Sequence, residues 1–333
     1  MDDLSKALLP IVESAVNKSL EKADFEAVIT AKINEVVGNI PHKKVEVIDP
    51  AGISRKLDLV HCSFEEMLIN VSTGVPVLLK GEAGTGKSHG AEMVAEALGL
   101  EFYALSVGEQ TPESKLLGFI DANGNYRTTD FRRCFENGGV FLLDEADAGN
   151  PNVLLSMNTA LSNGYVSFPD GRVKMHKNFR CIATANTFGY GSNARYVGRN
   201  KLDAATIDRF IPMVWELDEQ LEKLLCNNSE WLTIVRRCRK IAVANFDNVQ
   251  FGQRKSIFGA KMLAAGQPLE KVFESLILAG LSEDERELLK AALPKKPVSA
   301  SKSVKKSVSA SKSASKSVSA SKKEDDLDEL FNY

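Results

Sequence analysis

Short, mainly apolar runs alternate with helix-periodic segments along the middle of the chain. The runs predict buried strands because they have the length of strands and are bounded by glycine, proline or polar residues. They span residues 75–79, 101–107, 140–145, 179–186 and 211–217. Between them, apolar residues recur every three or four positions and predict helices at 88–98, 111–117, 131–137, 152–161 and 200–207. This alternation predicts an α/β fold with a three-layer parallel sheet domain over residues 43–218.

Smaller elements are predicted around this sheet. Residues 43–49 and 54–59 alternate as two strands do, and a second hairpin is predicted at 165–175, with its turn at 169–171. Ser63 and Glu66 have the spacing of a capping box, which predicts a helix that begins at Ser63.

Helical patterns dominate both flanks of the sheet region. Residues 1–42 carry apolar stripes separated by Lys and Glu and predict an N-terminal helical segment. From 219 to 293 the pattern is helical throughout and predicts a small all-α domain. Its helices are expected at 221–225, 231–244, 256–265, 269–281 and 283–293.

The C-terminal tail has a different composition. Residues 294–324 are rich in Lys, Ser and Ala, with no aromatic residue, and predict a disordered linker. A solvated linker and a salt-sensitive contact with nucleic acid are both open interpretations of its charge. Residues 325–333 are acidic and apolar and are typical of a docking peptide on a tether.

Charge and cysteine usage exclude several classes of protein. The 333 residues carry a formal net charge of −2, so the chain as a whole is not typical of a nucleic-acid binder. Its five cysteines lie far apart, without a C-x-x-C pair, which favours a reduced, cytoplasmic protein. No apolar run approaches the roughly 20 residues of a membrane span, so no membrane association is expected.

The first core strand is followed by a phosphate-binding pattern. Residues 81–88 read G-x-x-x-x-G-K-[ST], and a helix is predicted directly after them. Glycines let the backbone wrap around phosphate oxygens, so that N–H groups and the helix N-terminus face the anion. Lys87 is expected to reach the β- and γ-phosphates, and Ser88 to ligate Mg²⁺. The predicted nucleotide-binding residues are Gly81, Glu82, Ala83, Gly84, Thr85, Gly86, Lys87, Ser88 and His89.

Two later strands deliver polar side chains to the same sheet edge. Asp144 and Glu145 end one apolar strand, which suits a Mg²⁺ ligand and a base for the attacking water, respectively. Asn186 ends another strand, where an amide can hold a γ-phosphate or simply form a turn. Arg209 precedes the last strand and is either a surface ion-pair former or a guanidinium offered to a neighbouring subunit.

The order of these motifs resembles the AAA+ ATPases. Residues 144–149, the hairpin at 165–175, and the stretches 183–191 and 196–210 are similar to the MoxR group, most closely to the ATPase subunit of cobaltochelatase and CbbQ/NorQ-type ATPases. The similarity covers about residues 60–285. It implies a P-loop sheet domain with a helical lid over residues 219–293, with ATP and Mg²⁺ as cofactors.

The resemblance also assigns roles to individual residues. It implies that Asn186 senses the γ-phosphate and that Arg209 is an arginine finger acting in trans. Arg254 matches a second sensor that contacts the γ-phosphate in cis, and Ser106 stands where relatives often have an Asn that restrains the base. A ring, commonly a hexamer, is implied, and the loop at 118–125 and the hairpin at 165–175 become candidate pore or partner-contacting elements.

The resemblance leaves the client of the motor open. The favoured interpretation is a motor that remodels a partner, with a von Willebrand A-domain protein as the candidate. An alternative is a DNA-linked AAA+ accessory protein that binds DNA or a sliding clamp through its tail. A GTP-dependent relative of restriction-enzyme motors ranks last, because residues 183–187 lack the Met-Asn signature of that group.

Overall fold

The computed structural model describes residues 44–48, 53–187 and 189–293. Its strands are β1 Val45–Ile48, β2 Ser54–Leu57, β3 Val77–Lys80, β4 Phe102–Ser106, β5 Phe119–Ile120, β6 Tyr126–Arg127, β7 Gly139–Asp144, β8 Tyr165–Phe168, β9 Gly171–Lys174, β10 Phe179–Ala185 and β11 Ile211–Val214. Its α-helices are α1 Phe64–Ser72, α2 Lys87–Leu98, α3 Ser114–Leu117, α4 Asp130–Asn137, α5 Pro151–Asn163, α6 Ala204–Ile207, α7 Glu219–Cys226, α8 Ser229–Asn245, α9 Gln253–Ala264, α10 Leu269–Phe273 and α11 Glu283–Lys290. A 3₁₀ turn at Ala146–Ala148 and a π-helical segment at Glu274–Leu278 are also present.

Five parallel strands form the central sheet, in the order β11–β3–β10–β7–β4. β10 pairs with β3 on one side, where Ala185 lies beside Lys80, and with β7 on the other, where Ala183 lies beside Leu143. The carboxyl ends of these three neighbouring strands therefore meet at one edge, which is where open α/β sheets bind ligands.

Helices cover both faces of the sheet and bury two cores. On one face, α1 and α2 contribute Phe64, Met67 and Val94 to a core with the sheet. On the other, the core includes Phe131 and Met157 of α4 and α5. Because one core lies on each side of the sheet, the predicted three-layer α/β architecture is confirmed.

The helices after residue 218 surround a third core. Trp231, Cys238 and Phe273 are buried within it. The carboxylate of Glu222 is also fully buried, where it accepts hydrogen bonds from Arg239 Nη2 at 2.5 Å and Ser256 Oγ at 2.6 Å. Burial raises the pKa of Glu222, but these bonds and the charges of the arginines outweigh it, so the net shift is downward. This ion pair joins α7, α8 and α9.

The predicted hairpins are present. β1 and β2 pair antiparallel, as do β8 and β9, and the turn at residues 121–125 closes a third small hairpin between β5 and β6. Phe119 and Ile120 of this last hairpin are exposed.

Three sequence expectations were wrong. The capping box at Ser63 is absent, because the Ser63 side chain makes no capping bond and its own N–H donates to His61 Nδ1 at 3.1 Å. The strand at 101–107 is an edge strand with half-exposed positions, since β4 has β7 as a neighbour on one side only. The helix predicted at 200–207 is confined to Ala204–Ile207 because Asn200 is held by Asp147 and Leu202 by Gly189 instead.

The remaining predictions concern the two ends of the chain, the cysteines and membrane spans. The N-terminal helical segment, the linker at 294–324 and the docking peptide at 325–333 lie outside the described residues. All five cysteines are free, as expected. Among the helices that the structure describes, none has the length and apolar character needed to span a membrane.

Candidate nucleotide-binding site

The loop at residues 81–88 connects β3 to α2 at the carboxyl edge of the sheet. Gly81 sits where no side chain fits, since a Cβ there would lie 1.9 Å from the carbonyl oxygen of Trp215. Gly84 and Gly86 have φ angles of +80° and +85°, in the left-handed region that favours glycine. Trp215 is fully buried, and its Nε1 donates to the carbonyl of Thr85 at 3.1 Å. The loop thus has a fixed path, and α2 begins at its end.

Lys87 points back into this loop. Its Nζ donates to the carbonyl oxygens of Gly81 and Glu82, each at 2.9 Å, and to Asn186 Oδ1 at 3.0 Å. The residue is only 8% exposed, and burial lowers the pKa of Lys87 to about 8, although nearby Asp144 opposes the shift. The structure therefore places the amide of Asn186 directly at the loop lysine.

Ser88 and Asp144 form a pair beside Lys87. Ser88 Oγ donates to Asp144 Oδ2 at 3.1 Å, and Thr184 Oγ1 donates to the other carboxylate oxygen of Asp144. A hydroxyl and a carboxylate held this close are hard oxygen ligands of the kind that Mg²⁺ prefers, so the two residues fit that ion.

Glu145 follows Asp144 in an uncommon backbone conformation. Its φ of 57° and ψ of 39° lie in the left-handed region, which non-glycine residues seldom adopt and which is often found at functional sites. The N–H of Glu145 donates to Thr184 Oγ1 at 3.0 Å, and its side chain is 48% exposed. The carboxylate is therefore open to water at the mouth of the loop.

The helical domain approaches the loop from the other side. A Cβ on Gly84 would lie 3.5 Å from Cγ of Arg254, which places this arginine over the loop of its own chain. Gln250 Nε2 donates to Glu82 Oε2 at 2.7 Å, and the hydroxyl of Tyr196 accepts from Ala83 N and donates to Gln250 Oε1. The entry to α9 is thus bonded to the phosphate loop.

Arg209 is bonded away from the loop, and the side chain of His89, the residue after the loop, lies beside a glutamate of its own helix. Arg209 donates from Nε to Ser162 Oγ at 2.6 Å and from Nη1 to the carbonyl of Ala205. His89 Nδ1 lies 3.6 Å from Glu92 Oε2 on the outer face of α2. An action of Arg209 in trans stays a prediction.

Sequence reasoning gave no role to several residues of the site. Asp147 is fully buried and Arg199 bridges Asp147 and Glu145, while Thr184 supports Asp144. One local signal was available, because Asp147 follows Glu145 by two positions and is the third acid in a run after an apolar strand. Arg199 offered none, since its partners lie about fifty residues earlier in the chain.

Together, the loop after β3, the paired acids at the end of β7 and the helical domain define an AAA+ P-loop fold. Residues 76–210 match the sequence family described as "AAA domain (dynein-related subfamily)". Within the matched segment lie the phosphate loop, Asp144, Glu145, Asn186 and Arg209.

Parts of this chain are also similar to known proteins. The chain is 32% identical to midasin from Giardia intestinalis over 142 residues, which are 41% of this chain and 3% of that protein. It is 26% identical to midasin from Dictyostelium discoideum over 204 residues, 58% of this chain and 3% of that protein. It is 23% identical to "von Willebrand factor A domain-containing protein 8" from Mus musculus over 225 residues, 56% of this chain and 12% of that protein. The chain therefore spans a small part of the length of these relatives, and residues 76–210 carry its similarity to the dynein-related AAA domain.

Proposed function

We propose that the chain binds ATP with Mg²⁺ and hydrolyses it to ADP and phosphate. The observation that carries this proposal is the convergence of Lys87, Asn186 and the Ser88–Asp144 pair at the phosphate loop, with Glu145 beside them. These groups come from three neighbouring strands and one helix, and phosphoryl transfer requires positioned charges of this kind.

Each residue has a defined task in this proposal. Lys87 binds the β- and γ-phosphates, and Asn186 holds the γ-phosphate or the attacking water. Glu145 takes a proton from that water while the water oxygen bonds to the γ-phosphorus. The bond between the γ-phosphorus and the bridging oxygen breaks, and that oxygen leaves with ADP. When bound, Mg²⁺ would be held by Ser88 and Asp144 and would neutralise phosphate charge.

The test is the Glu145→Gln variant, which keeps the shape of the side chain and removes the base. We expect it to bind ATP with near-normal affinity and to lose at least about 100-fold in turnover, within the range assigned to general-base catalysis. ATP bound to the purified variant should persist as ATP when its nucleotide is extracted and analysed.

The matched control is Glu287→Gln, an exposed glutamate on α11, which should hydrolyse ATP at the wild-type rate. Rapid hydrolysis by Glu145→Gln would overturn the assignment of the base. Failure of the wild-type chain to bind ATP would overturn the proposed function itself.

We further propose that the chain works as a MoxR-type ring, a hexamer, in which Arg209 of one copy serves the site of the next. Similarity to the dynein-related AAA family supports oligomerisation in general, because AAA+ proteins typically assemble. Arg254 would contact the γ-phosphate in cis, which its position over Gly84 supports. Sedimentation of the Glu145→Gln variant with and without ATP tests the ring, and we expect ATP to increase the assembled fraction.

The proposed task of this ring is to remodel a partner protein, with a von Willebrand A-domain protein as the candidate. The similarity to a mouse protein whose name includes that domain supports this choice. Stimulation of ATP hydrolysis by an A-domain protein is the expected result. Stimulation by DNA instead would favour the DNA-linked alternative.

A further inference from the structure

We propose that Arg199 is the positioning residue for the catalytic base: it holds the Glu145 carboxylate in the orientation needed to accept a proton from water. This inference rests on the proposed function, since it assigns a partner to the base of that same site. The family resemblance places Ser106 where relatives have a residue that restrains the base, and we assign that restraint to Arg199 instead. Among the described residues, Ser106 makes no side-chain hydrogen bond to Glu145, whereas Arg199 does.

One guanidinium nitrogen of Arg199 contacts two carboxylates. Nη1 lies 3.3 Å from Glu145 Oε2 and 3.2 Å from Asp147 Oδ1. The Arg199 side chain is 12% exposed, that of Asp147 is fully buried, and that of Glu145 is 48% exposed. The contact therefore runs from a buried anchor through a nearly buried cation to a carboxylate that faces solvent.

Asp147 is held firmly enough to act as this anchor. Its Oδ2 accepts hydrogen bonds from the N–H groups of Asn186 and Thr187, at 3.0 and 2.9 Å, and from Thr187 Oγ1 at 2.9 Å. With Arg199 on Oδ1, both carboxylate oxygens are occupied. A buried carboxylate with this many donors has one well-defined position.

The backbone of Arg199 is fixed as well. Its N–H donates to Ser192 Oγ, and that hydroxyl donates to the carbonyl of Arg199, each at 2.9 Å. The next residue, Asn200, donates from its N–H to the carbonyl of Asp147 at 2.7 Å and from Nδ2 to the carbonyl of Gly149 at 3.0 Å. The guanidinium is thus constrained at both ends.

Glu145 itself has few constraints without this contact. Its side chain is half exposed, and within the described part of the chain Arg199 is the partner that hydrogen-bonds its carboxylate. Because the bond engages Oε2, Oε1 is left to accept a proton. Catalytic triads also use a base that is oriented by a third group. A misplacement of a catalytic group by about 1 Å can lower the rate about 10²-fold.

The first experiment separates turnover from binding. We expect Arg199→Ala to lower kcat about 10- to 100-fold, while KM for ATP changes less than about threefold. Arg199→Lys should recover part of the loss, because lysine keeps the charge but not the planar fork. The control is Arg133→Ala, an exposed arginine on α4, which should leave both constants unchanged.

The second experiment tests whether Arg199 acts through Glu145. In the Glu145→Gln background, adding Arg199→Ala should neither lower the residual rate further nor change the affinity for ATP, because the group it positions is already absent. The two single losses would then be strongly non-additive. A circular dichroism melt of each variant checks that the fold is retained.

Three outcomes would overturn the proposal. They are an unchanged or increased kcat in Arg199→Ala, additive losses in the double variant, and a weakened affinity for ATP with kcat preserved, which would make Arg199 a phosphate ligand. If Glu145→Gln is inactive while Arg199→Ala is normal, this inference fails and the proposed function stands. If Glu145→Gln turns over normally, the base assignment fails first.

Discussion

The ammonium group of Lys87 is enclosed by the carbonyl oxygens of its own loop. It donates hydrogen bonds to Gly81, Glu82 and Asn186 and is largely removed from water. Desolvation of the charged form is the largest influence on it and lowers the pKa of Lys87 to about 8. The loop thus holds a cation at a cost in stability, and a bound phosphate would relieve that cost.

This cost should appear as a pH-dependent stability of the nucleotide-free chain. In the unfolded chain the pKa of Lys87 has its ordinary value of 10.5, whereas in the folded chain burial lowers that pKa to about 8. Between these values the unfolded state binds more protons, so the free energy of unfolding rises with pH through this window, by about 3 kcal/mol for the full shift. Urea denaturation at a series of pH values should show this rise in the wild type relative to Lys87→Met.

The comparison with Lys87→Met cancels the titration of other groups. Lys290→Met, which removes an exposed lysine, is the control and should show the same pH dependence as the wild type. A wild-type curve parallel to that of Lys87→Met between pH 8 and 10.5 would contradict the buried-cation interpretation.

Residues of the site differ in how well the sequence predicts them. Lys87, Ser88, Asp144 and Glu145 were predictable as candidates because each belongs to a short motif next to a strand or helix. Arg199 was not, because its contact with Glu145 depends on how the loop between β10 and α6 folds back onto the 3₁₀ turn. Local spacing reports local geometry, and this pairing is not local.

At the scale of elements, the start of α9 packs directly on the phosphate loop. A Cβ on Gly252 would lie 2.8 Å from the carbonyl oxygen of Ala83, closer than real Cβ contacts allow. Gly252 has a φ of −75°, which any residue adopts, so close approach alone explains the glycine. The lid and the loop are therefore expected to move together.

Gly252→Ala tests this coupling without backbone strain. The added methyl group must push the lid entry away from the loop, an overpacking effect of about 1–3 kcal/mol. We expect affinity for ATP to fall about tenfold or more, which corresponds to about 1.4 kcal/mol. Isothermal titration calorimetry with a non-hydrolysable ATP analogue measures the change.

Gly108→Ala is the matched control, since a Cβ there has open space around it and should leave affinity unchanged. Wild-type affinity in Gly252→Ala would show that the lid contact does not contribute to nucleotide binding. A global loss of stability would appear in the melting curve and would point to the fold and not to the coupling.

Elements were predicted well where burial and local pattern agree. The strands ending at Lys80, Asp144 and Ala185 are buried, and each begins or ends within two residues of its prediction. The capping box predicted at Ser63 does not form because other hydrogen bonds hold this segment. The Cys62 N–H donates to Asp218 Oδ2 at 2.8 Å, and the Ser63 N–H donates to His61 Nδ1. The edge position of β4 depends on strand order, which the pattern of apolar residues does not encode.

At the scale of the whole molecule, Arg209 raises the question of how a site is completed. Within its own chain this guanidinium is bonded to Ser162 of α5 and to the carbonyl of Ala205 in α6, and not to the phosphate loop. A catalytic role for Arg209 therefore requires a second copy. If that role exists, the general base and the arginine of one working site belong to different chains.

Two inactive variants should then restore activity when they are mixed. Arg209→Ala chains keep Glu145, and Glu145→Gln chains keep Arg209, so a site between them in the right order has both groups intact. With random assembly of equal amounts, about a quarter of the sites are of this kind. Alone, Arg209→Ala is expected to be about 10³- to 10⁵-fold slower than the wild type, and Glu145→Gln at least about 100-fold slower. We therefore expect the mixture to exceed either variant by at least about 25-fold in an ATPase assay, once co-purification of differently tagged chains confirms mixed assemblies. If mixed assemblies form but show no ATPase activity, Arg209 does not act across a subunit boundary. Full activity of Arg209→Ala on its own would mean that it is not a catalytic residue at all.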